Sequence, residues 1–362
     1  MMLHSKVEVV AIGGSVGKTT TKDLTSSVLE TNFKVVKSRA NFDPIFNLPQ
    51  TALTIRDHQK FVAEMGIDAP GQMDKYLTLV KPVVAVMTEL SLEHSDSEHL
   101  QSYEIAVEEE WKLIEALPQH GLAILNGDNS DIAHKAQELK VQKLLYGFES
   151  SNQVQITDSK QEIKSGKPQL TINLSGHIEG EFSAPLIGRH NALCMTAAIC
   201  IGRHFGLTDE QIQAGLNRVK PPEHRLELKP TPWGVVIDDT YNSSPKAAIA
   251  AIDVLAELGG EQSLLVLSDM LELGQFAAQA HQEVGQYAAT RGIKNILVYG
   301  DFTDEIQRGY ANGGGDGEVL VAQDREELIE MIRDQRPTVA LLKASRGKQL
   351  NEVVDALVAG KH

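Results

Sequence analysis

Short apolar runs alternate with helical stretches along the first part of the chain. The β-branched run Val7-Glu8-Val9-Val10-Ala11-Ile12 predicts a strand that stops at Gly13-Gly14, and a helical pattern follows over residues 18–30. Strand, glycine turn and helix open a parallel α/β unit. Further apolar runs at residues 61–63, 83–87 and 122–125 predict strands, with a helix over 104–117. The pattern changes over residues 151–187, where Val154 and Ile156, then Leu170, Ile172 and Leu174, alternate with polar positions. That alternation predicts a small antiparallel β insert. Residues 191–219 read as helix-rich.

Lys220-Pro221-Pro222 removes two backbone donors and stiffens the chain, which predicts a domain boundary. Beyond it, strand patterns at 234–238, 263–267, 296–300 and 338–342, a helix at 246–258 and the loop Gly313-Gly314-Gly315 describe a second α/β unit. No internal repeat is evident. The expected fold is α/β: a mostly parallel, P-loop-type ATPase domain over 1–222 with a β insert near 151–187, then a Rossmann-like α/β domain over 223–362.

Composition narrows the function classes. A length of 362 residues fits two or three domains, and 42% hydrophobic with 23% charged residues excludes wholesale disorder. The formal charge of −15 argues against a nucleic-acid partner, which needs clustered Lys and Arg. Cys194 and Cys200 are the only cysteines, too few for a disulfide scaffold or a zinc ribbon. No run approaches the length of a membrane span, and the N-terminus lacks the apolar core of a signal peptide. The expectation is a soluble, cytoplasmic protein without a membrane partner.

The most specific motif is Gly14-Ser15-Val16-Gly17-Lys18-Thr19-Thr20. Its glycines let backbone amides curl round a phosphate at a helix N-terminus, Lys18 neutralises outer phosphate charge, and a Thr hydroxyl can join a Mg²⁺ shell. Ile12 stands where a strict Walker A motif has its first glycine, so a plain strand-to-helix turn is the competing reading. Glu64 and His94 follow strands whose ends point toward the same crevice. As an oxygen donor Glu64 suits Mg²⁺ better than His94, and either is alternatively a satisfied polar residue. Asp238-Asp239-Thr240-Tyr241-Asn242 precedes a helix, where it could hold a ribose or an amine; helix capping by Asn242 or Ser243 before Pro245 explains part of it. Arg225, Lys343 and Arg346 are cations near the same strand ends, and solvated surface charge is the default for each.

Together these residues resemble the Mur ligases, the ATP-dependent amide-forming enzymes of peptidoglycan synthesis. The resemblance runs from Val7 onward. It rests on the phosphate loop continuing to Thr21-Lys22, on Glu64-Met65-Gly66 with Pro70-Gly71, on Gly188-Arg189-His190-Asn191 and on Arg225-Leu226-Glu227. The second domain matches through Asp238 to Pro245, Ser268-Asp269-Met270-Leu271-Glu272-Leu273-Gly274, His281 and Leu342-Lys343-Ala344-Ser345-Arg346. It is most similar to the branch whose amine is D-alanyl-D-alanine.

The resemblance implies ATP and Mg²⁺ as cofactors and a two-step reaction, in which a carboxylate becomes an acyl phosphate and an amine then displaces phosphate. It implies that Gly14, Ser15, Gly17, Lys18, Thr19, Thr20, Asn191, Arg225, Asp239 and Asn242 bind nucleotide, and that Thr19, Glu64 and His94 bind metal. Lys18, His94, Glu110, Lys343 and Arg346 would serve catalysis, with Lys343, Ser345 and Arg346 facing the amine, in a site formed when the domains close.

Four departures accompany it. The phosphate loop begins about a dozen residues in, so the family's UDP-anchoring N-terminal domain is expected to be absent, its role open to another polypeptide or to a UDP-free acid. Glu110, within Glu109-Glu110-Trp111-Lys112, stands where several members carry a carbamylated lysine, keeping the negative charge without carbon dioxide; a solvated face over Glu108 to Glu110 is the alternative. Asn41-Phe42-Asp43-Pro44 replaces an Asn-Asn pair, and Cys194 replaces an asparagine on the adenine side, as Val16 does in the loop. The leading reading is an ADP-forming carboxylate–amine ligase; the alternative is a degenerate, non-catalytic nucleotide- or peptide-binding partner.

Overall fold

The computed structural model describes residues 7–39, 44–90, 102–164, 166–221 and 223–359. The chain divides into two compact units. One comprises Met1–Lys160, Thr171–Pro185 and His190–Lys220; the other comprises Gln161–Leu170, Leu186–Arg189 and Pro221–His362.

In the first unit, strands β1 (Glu8–Gly13), β2 (Val35–Lys37), β3 (Lys60–Glu64), β4 (Pro82–Met87), β5 (Leu122–Asn126) and β6 (Gln142–Gly147) alternate with helices α1 (Lys18–Leu29), α2 (Pro44–Thr54), α3 (Gln72–Leu79), α4 (Tyr103–Glu115) and α5 (Ser130–Ala136). Strands β7 (Val154–Lys164), β8 (Lys167–Gly176) and β9 (Gly180–Ala184) and helices α6 (Arg189–His204) and α7 (Asp209–Leu216) follow. The sheet order is β2-β3-β1-β4-β5-β6-β7-β8-β9, parallel from β2 through β7.

The expected β insert is present as β7, β8 and β9, and it belongs to the main sheet. Its first strand pairs in parallel with β6, Tyr146 opposite Val154, so the insert lengthens the main sheet. Only two residues part β7 from β8, which forces the antiparallel arrangement the alternation implied. The bond from His177 N–H to Gln153 O ties the far end of that hairpin.

Strand β1 lies between β3 and β4, where the strand order reverses and ligands of open α/β sheets bind. Both its faces are covered. Val9 and Ala11 join a core with Phe61, Met87, Trp111 and Leu113, while Val10 and Ile12 are fully buried on the opposite face.

The second unit has strands β10 (Glu227–Pro230), β11 (Val235–Asp239), β12 (Ser263–Ser268), β13 (Asn295–Tyr299), β14 (Glu318–Val321) and β15 (Val339–Lys343). Its helices are α8 (Pro245–Leu258), α9 (Ala277–Thr290), α10 (Thr303–Asn312), α11 (Arg325–Gln335) and α12 (Leu350–Val358). The order β10-β11-β15-β12-β13-β14 is parallel except at β10. Successive residues of β12 feed opposite cores: Leu265 and Leu267 pack with Ile252, Leu255 and Val284, and Leu264 and Val266 with Leu328, Ile332 and Val354. Continuous apolar strands are what a sheet covered on both faces requires. Among the described residues, no helix is long and apolar enough to cross a membrane.

Candidate active site at the phosphate loop

The turn leaving β1 has the backbone expected of a phosphate loop. Gly14 and Gly17 adopt φ of 113° and 87°, a region costly for residues with a Cβ, and Gly17 caps α1. A Cβ on Gly14 would lie 2.5 Å from Thr88 Oγ1 and 2.7 Å from Glu89 O, so the glycine is also required by close approach. The loop is held by its neighbour strand: Ser15 N–H donates to Glu89 O at 2.7 Å, and the Thr88 hydroxyl lies 2.6 Å from Val16 O. Thr88 is a supporting residue that sequence reading missed; its signal is its place immediately after β4. Lys18 folds over the loop, its ammonium donating to Gly14 O and to Ser15 O at 3.0 Å.

Strand register brings Glu64 opposite Ile12, level with the start of the loop. The Thr19 hydroxyl donates to Glu64 Oε1 at 2.7 Å, placing two hard oxygen donors together as Mg²⁺ prefers. Glu64 Oε2 pairs at 3.1 Å with Lys22, whose side chain has no solvent exposure. Lys22 is a second residue whose part in the site was not anticipated.

The three consecutive glutamates of α4, Glu108 to Glu110, separate. Glu108 is 68% exposed and pairs with Lys135. Glu109, also buried, accepts the Met73 N–H at 2.9 Å and pairs with Lys112, which pairs in turn with the exposed Asp74. Glu110 is buried, and its Oε2 accepts the Gly14 N–H at 2.9 Å. Burial pushes its pKa upward, opposed by the Lys18 charge and the Gly14 N–H. The solvated-face alternative therefore fails for Glu110. Asn191 is buried in the first turns of α6, and Cys194, one turn on, stands 3.7 Å from Gly17 O with its thiol pKa pushed by burial to about 11. Thr20 is half-buried in the first turn of α1. His94 and Asn41-Phe42-Asp43 lie outside the described residues.

In the second unit, β11 and β15 bring Asp239 opposite Lys343. The Lys343 ammonium lies 2.8 Å from Asp239 Oδ2 and donates to Asn242 O at 2.6 Å, and Asp239 Oδ1 accepts the Leu226 N–H at 3.2 Å. Lys343, expected to face an amine, is 4% exposed and engaged within its own unit, because its strand register pairs it with a carboxylate. Ser345, expected beside it, is buried and accepts the Leu271 N–H at 2.9 Å. Arg225 and Arg346 both stack on Tyr241, at 4.2 and 5.6 Å from the ring centre. His224 and Leu226, flanking Arg225, have φ of 58° and 48°. His224 is fixed there by its Nδ1 contact with Asp238 Oδ2 at 2.7 Å. His224, Glu227 and Asp238 are close enough to hold a cation, but Lys229 already stands 2.8 Å from Asp238.

Residues 12–202 match the Mur ligase middle domain, and residues 224–346 match the Mur ligase, glutamate ligase domain. The chain belongs to the Mur ligase family. Among its relatives is the UDP-N-acetylmuramoyl-tripeptide–D-alanyl-D-alanine ligase of Bacillus subtilis, 32% identical over 355 residues that span 97% of this chain and 76% of the relative. The fold is shared with MurF from Acinetobacter baumannii, with a TM-score of 0.85 at 24% identity over 98% of this chain and 77% of that one. It is shared also with MurF from Thermotoga maritima in complex with ADP, with a TM-score of 0.83 at 22% identity over 98% and 80%. This Mur ligase is a MurF-like ATP-dependent ligase.

Two further features belong to the second unit of this Mur ligase. Its Asn242 side chain is exposed and the N-cap of α8 is Ser244, so helix capping does not account for Asn242. His281 is fully buried: Nδ1–H donates to Ala277 O at 2.7 Å and Nε2 accepts the Met270 N–H at 2.9 Å. Its ring supports the turn after β12 and leaves no nitrogen for a ligand.

Proposed function

We propose that this Mur ligase joins the carboxylate of UDP-N-acetylmuramoyl-tripeptide to the amine of D-alanyl-D-alanine, releasing ADP and phosphate. The acid's carboxylate attacks the γ-phosphorus of ATP and ADP leaves, giving an acyl phosphate. The amine attacks its carbonyl carbon, loses a proton and expels phosphate as the C–O bond breaks. The observation that carries this reading is the β1–α1 loop, with Lys18 across its carbonyls and the Thr19–Glu64 oxygen pair at its helix. The relatives' names supply the substrates.

In this reading Gly14, Ser15, Gly17, Thr20 and Lys18 cradle the phosphates, and Lys18 offsets charge that gathers on the departing phosphate. Thr19 and Glu64, with His94, would hold Mg²⁺, which when bound supplies charge neutralisation and orientation of the phosphate oxygens. In this reading Asn191 is assigned to nucleotide binding in the first unit, Arg225, Asp239 and Asn242 are assigned to it in the second, and Arg346 is assigned to the amine. Lys343 acts indirectly, fixing Asp239 and the Asn242 carbonyl. On the same reading the ATP-binding domain runs to residue 222 and the C-terminal domain begins at residue 223.

Phosphate release from ATP and Mg²⁺ tests the reading, with the acid and the dipeptide omitted in turn. Release that requires both supports it. Release with a UDP-free acid in place of the nucleotide-linked one would revise the substrate, and no release above the omission controls would overturn the ligase assignment.

A further inference from the structure

Glu110 presents a physical conflict. A phosphate loop is an anion receptor made of backbone N–H groups, yet here one of those groups, Gly14 N–H, is already bonded to a buried carboxylate at 2.9 Å. The contact is built in. A Cβ on Gly13 would fall 2.7 Å from Leu113 Cδ2 and 3.0 Å from Glu110 Oε2, so the carboxylate packs closely against the backbone that leads into the loop. The stripe Ala106, Val107, Leu113 and Ile114 is buried on the same helix, which anchors Glu110 inward. The neighbouring acids cannot substitute, since Glu108 pairs with Lys135 at the surface and Glu109 is taken by Met73 N–H and Lys112. Lys18 supplies one positive charge at the loop. The polyphosphate of a nucleotide brings several negative charges to the same place, and like charges in a partly desolvated site repel strongly.

We propose that Glu110 makes nucleotide binding by the phosphate loop conditional on a divalent cation. The carboxylate disfavours a bare polyphosphate and tolerates one whose charge is offset by the cation that Thr19 and Glu64 fit. Metal-free nucleotide is thereby kept out of a loop that cannot use it. The inference rests on the ATP-dependent reading above and assigns to that site a selectivity for the metal complex over free nucleotide.

Equilibrium binding to the full chain tests it, by calorimetry with ADP and with a non-hydrolysable ATP analogue, each in Mg²⁺ and in EDTA. The wild type should bind at least about tenfold more tightly with Mg²⁺. Glu110→Gln keeps the shape and the acceptor for Gly14 N–H and removes the charge. It should tighten binding in EDTA and close most of that gap, whereas Glu110→Asp, which retains the charge, should keep it. An unchanged gap in Glu110→Gln overturns the proposal, as does equal weakening with and without metal, which would make Glu110 a purely structural support of the loop. Failure of the wild type to bind either nucleotide under both conditions would instead overturn the ATP-dependent reading, and the proposal with it. Thermal melting of each variant without ligand separates misfolding from altered binding.

Discussion

The ammonium of Lys22 stands 3.1 Å from Glu64 Oε2, while the other Glu64 oxygen accepts the Thr19 hydroxyl at 2.7 Å. A buried cation one turn along α1 therefore fixes which way the Glu64 carboxylate faces, and Thr19 meets its other oxygen. The arrangement is legible as a consequence of helix geometry, because positions three apart share a face.

Removing that cation leaves Glu64 with its charge uncompensated in a largely buried setting. Lys22→Met should cost about 2–4 kcal/mol of unfolding free energy, measured by urea denaturation. An unchanged denaturation midpoint would show that the pair contributes nothing.

Lys18 behaves differently, since its ammonium bonds only to Gly14 O and Ser15 O among the described residues. Lys18→Met should change stability by less than about 1 kcal/mol. Phosphate release should fall about a thousandfold or more, from the loss of charge stabilisation on the transferred group. A variant that unfolds, or that retains turnover, contradicts this division of roles.

Glu110 already places a carboxylate at the loop. Turnover should therefore be the same in degassed buffer and in buffer supplemented with bicarbonate. Stimulation by bicarbonate would point to a carbamylated lysine elsewhere.

His281 makes stability depend on pH. Burial holds its pKa below the 6.5 of an open imidazole, against the opposing pull of the Ala277 carbonyl, Asp269 and Glu305. The unfolded chain takes up this proton first as pH falls. The stabilisation is thus complete above about 6.5 and declines on acidification toward the folded-state pKa. Protonation would also break the Met270 N–H bond to Nε2. Urea midpoints of wild type and His281→Gln, compared from pH 8 to pH 5, should show the steeper decline in the wild type; parallel curves would contradict it.

The central strands were legible because a parallel sheet covered on both faces writes continuous apolar runs, as at β1, β4 and β12. Strands β2 and β14 escaped because Val-Val-Lys and Glu-Val-Leu-Val are too short to show a period. The phosphate loop and Glu64 were readable from local motif and strand-end position. Glu110 carried a recognisable signal, a carboxylate on the same stripe as Ala106, Leu113 and Ile114, but its Gly14 partner lies 96 residues away and only folding reveals it. The engagement of Lys343 was hidden for the same reason: the Asp239 opposite it is set by the pairing of β11 with β15.

The acyl phosphate is the central claim of the mechanism, and isotope transfer tests it most directly. The acid substrate is prepared with ¹⁸O in its reacting carboxylate, and the phosphate released during ligation is analysed by mass spectrometry. Transfer of one ¹⁸O from the acid into each phosphate formed is the predicted result, because the bridging oxygen of an acyl phosphate leaves with phosphorus. Amide product accompanied by unlabelled phosphate would contradict the account.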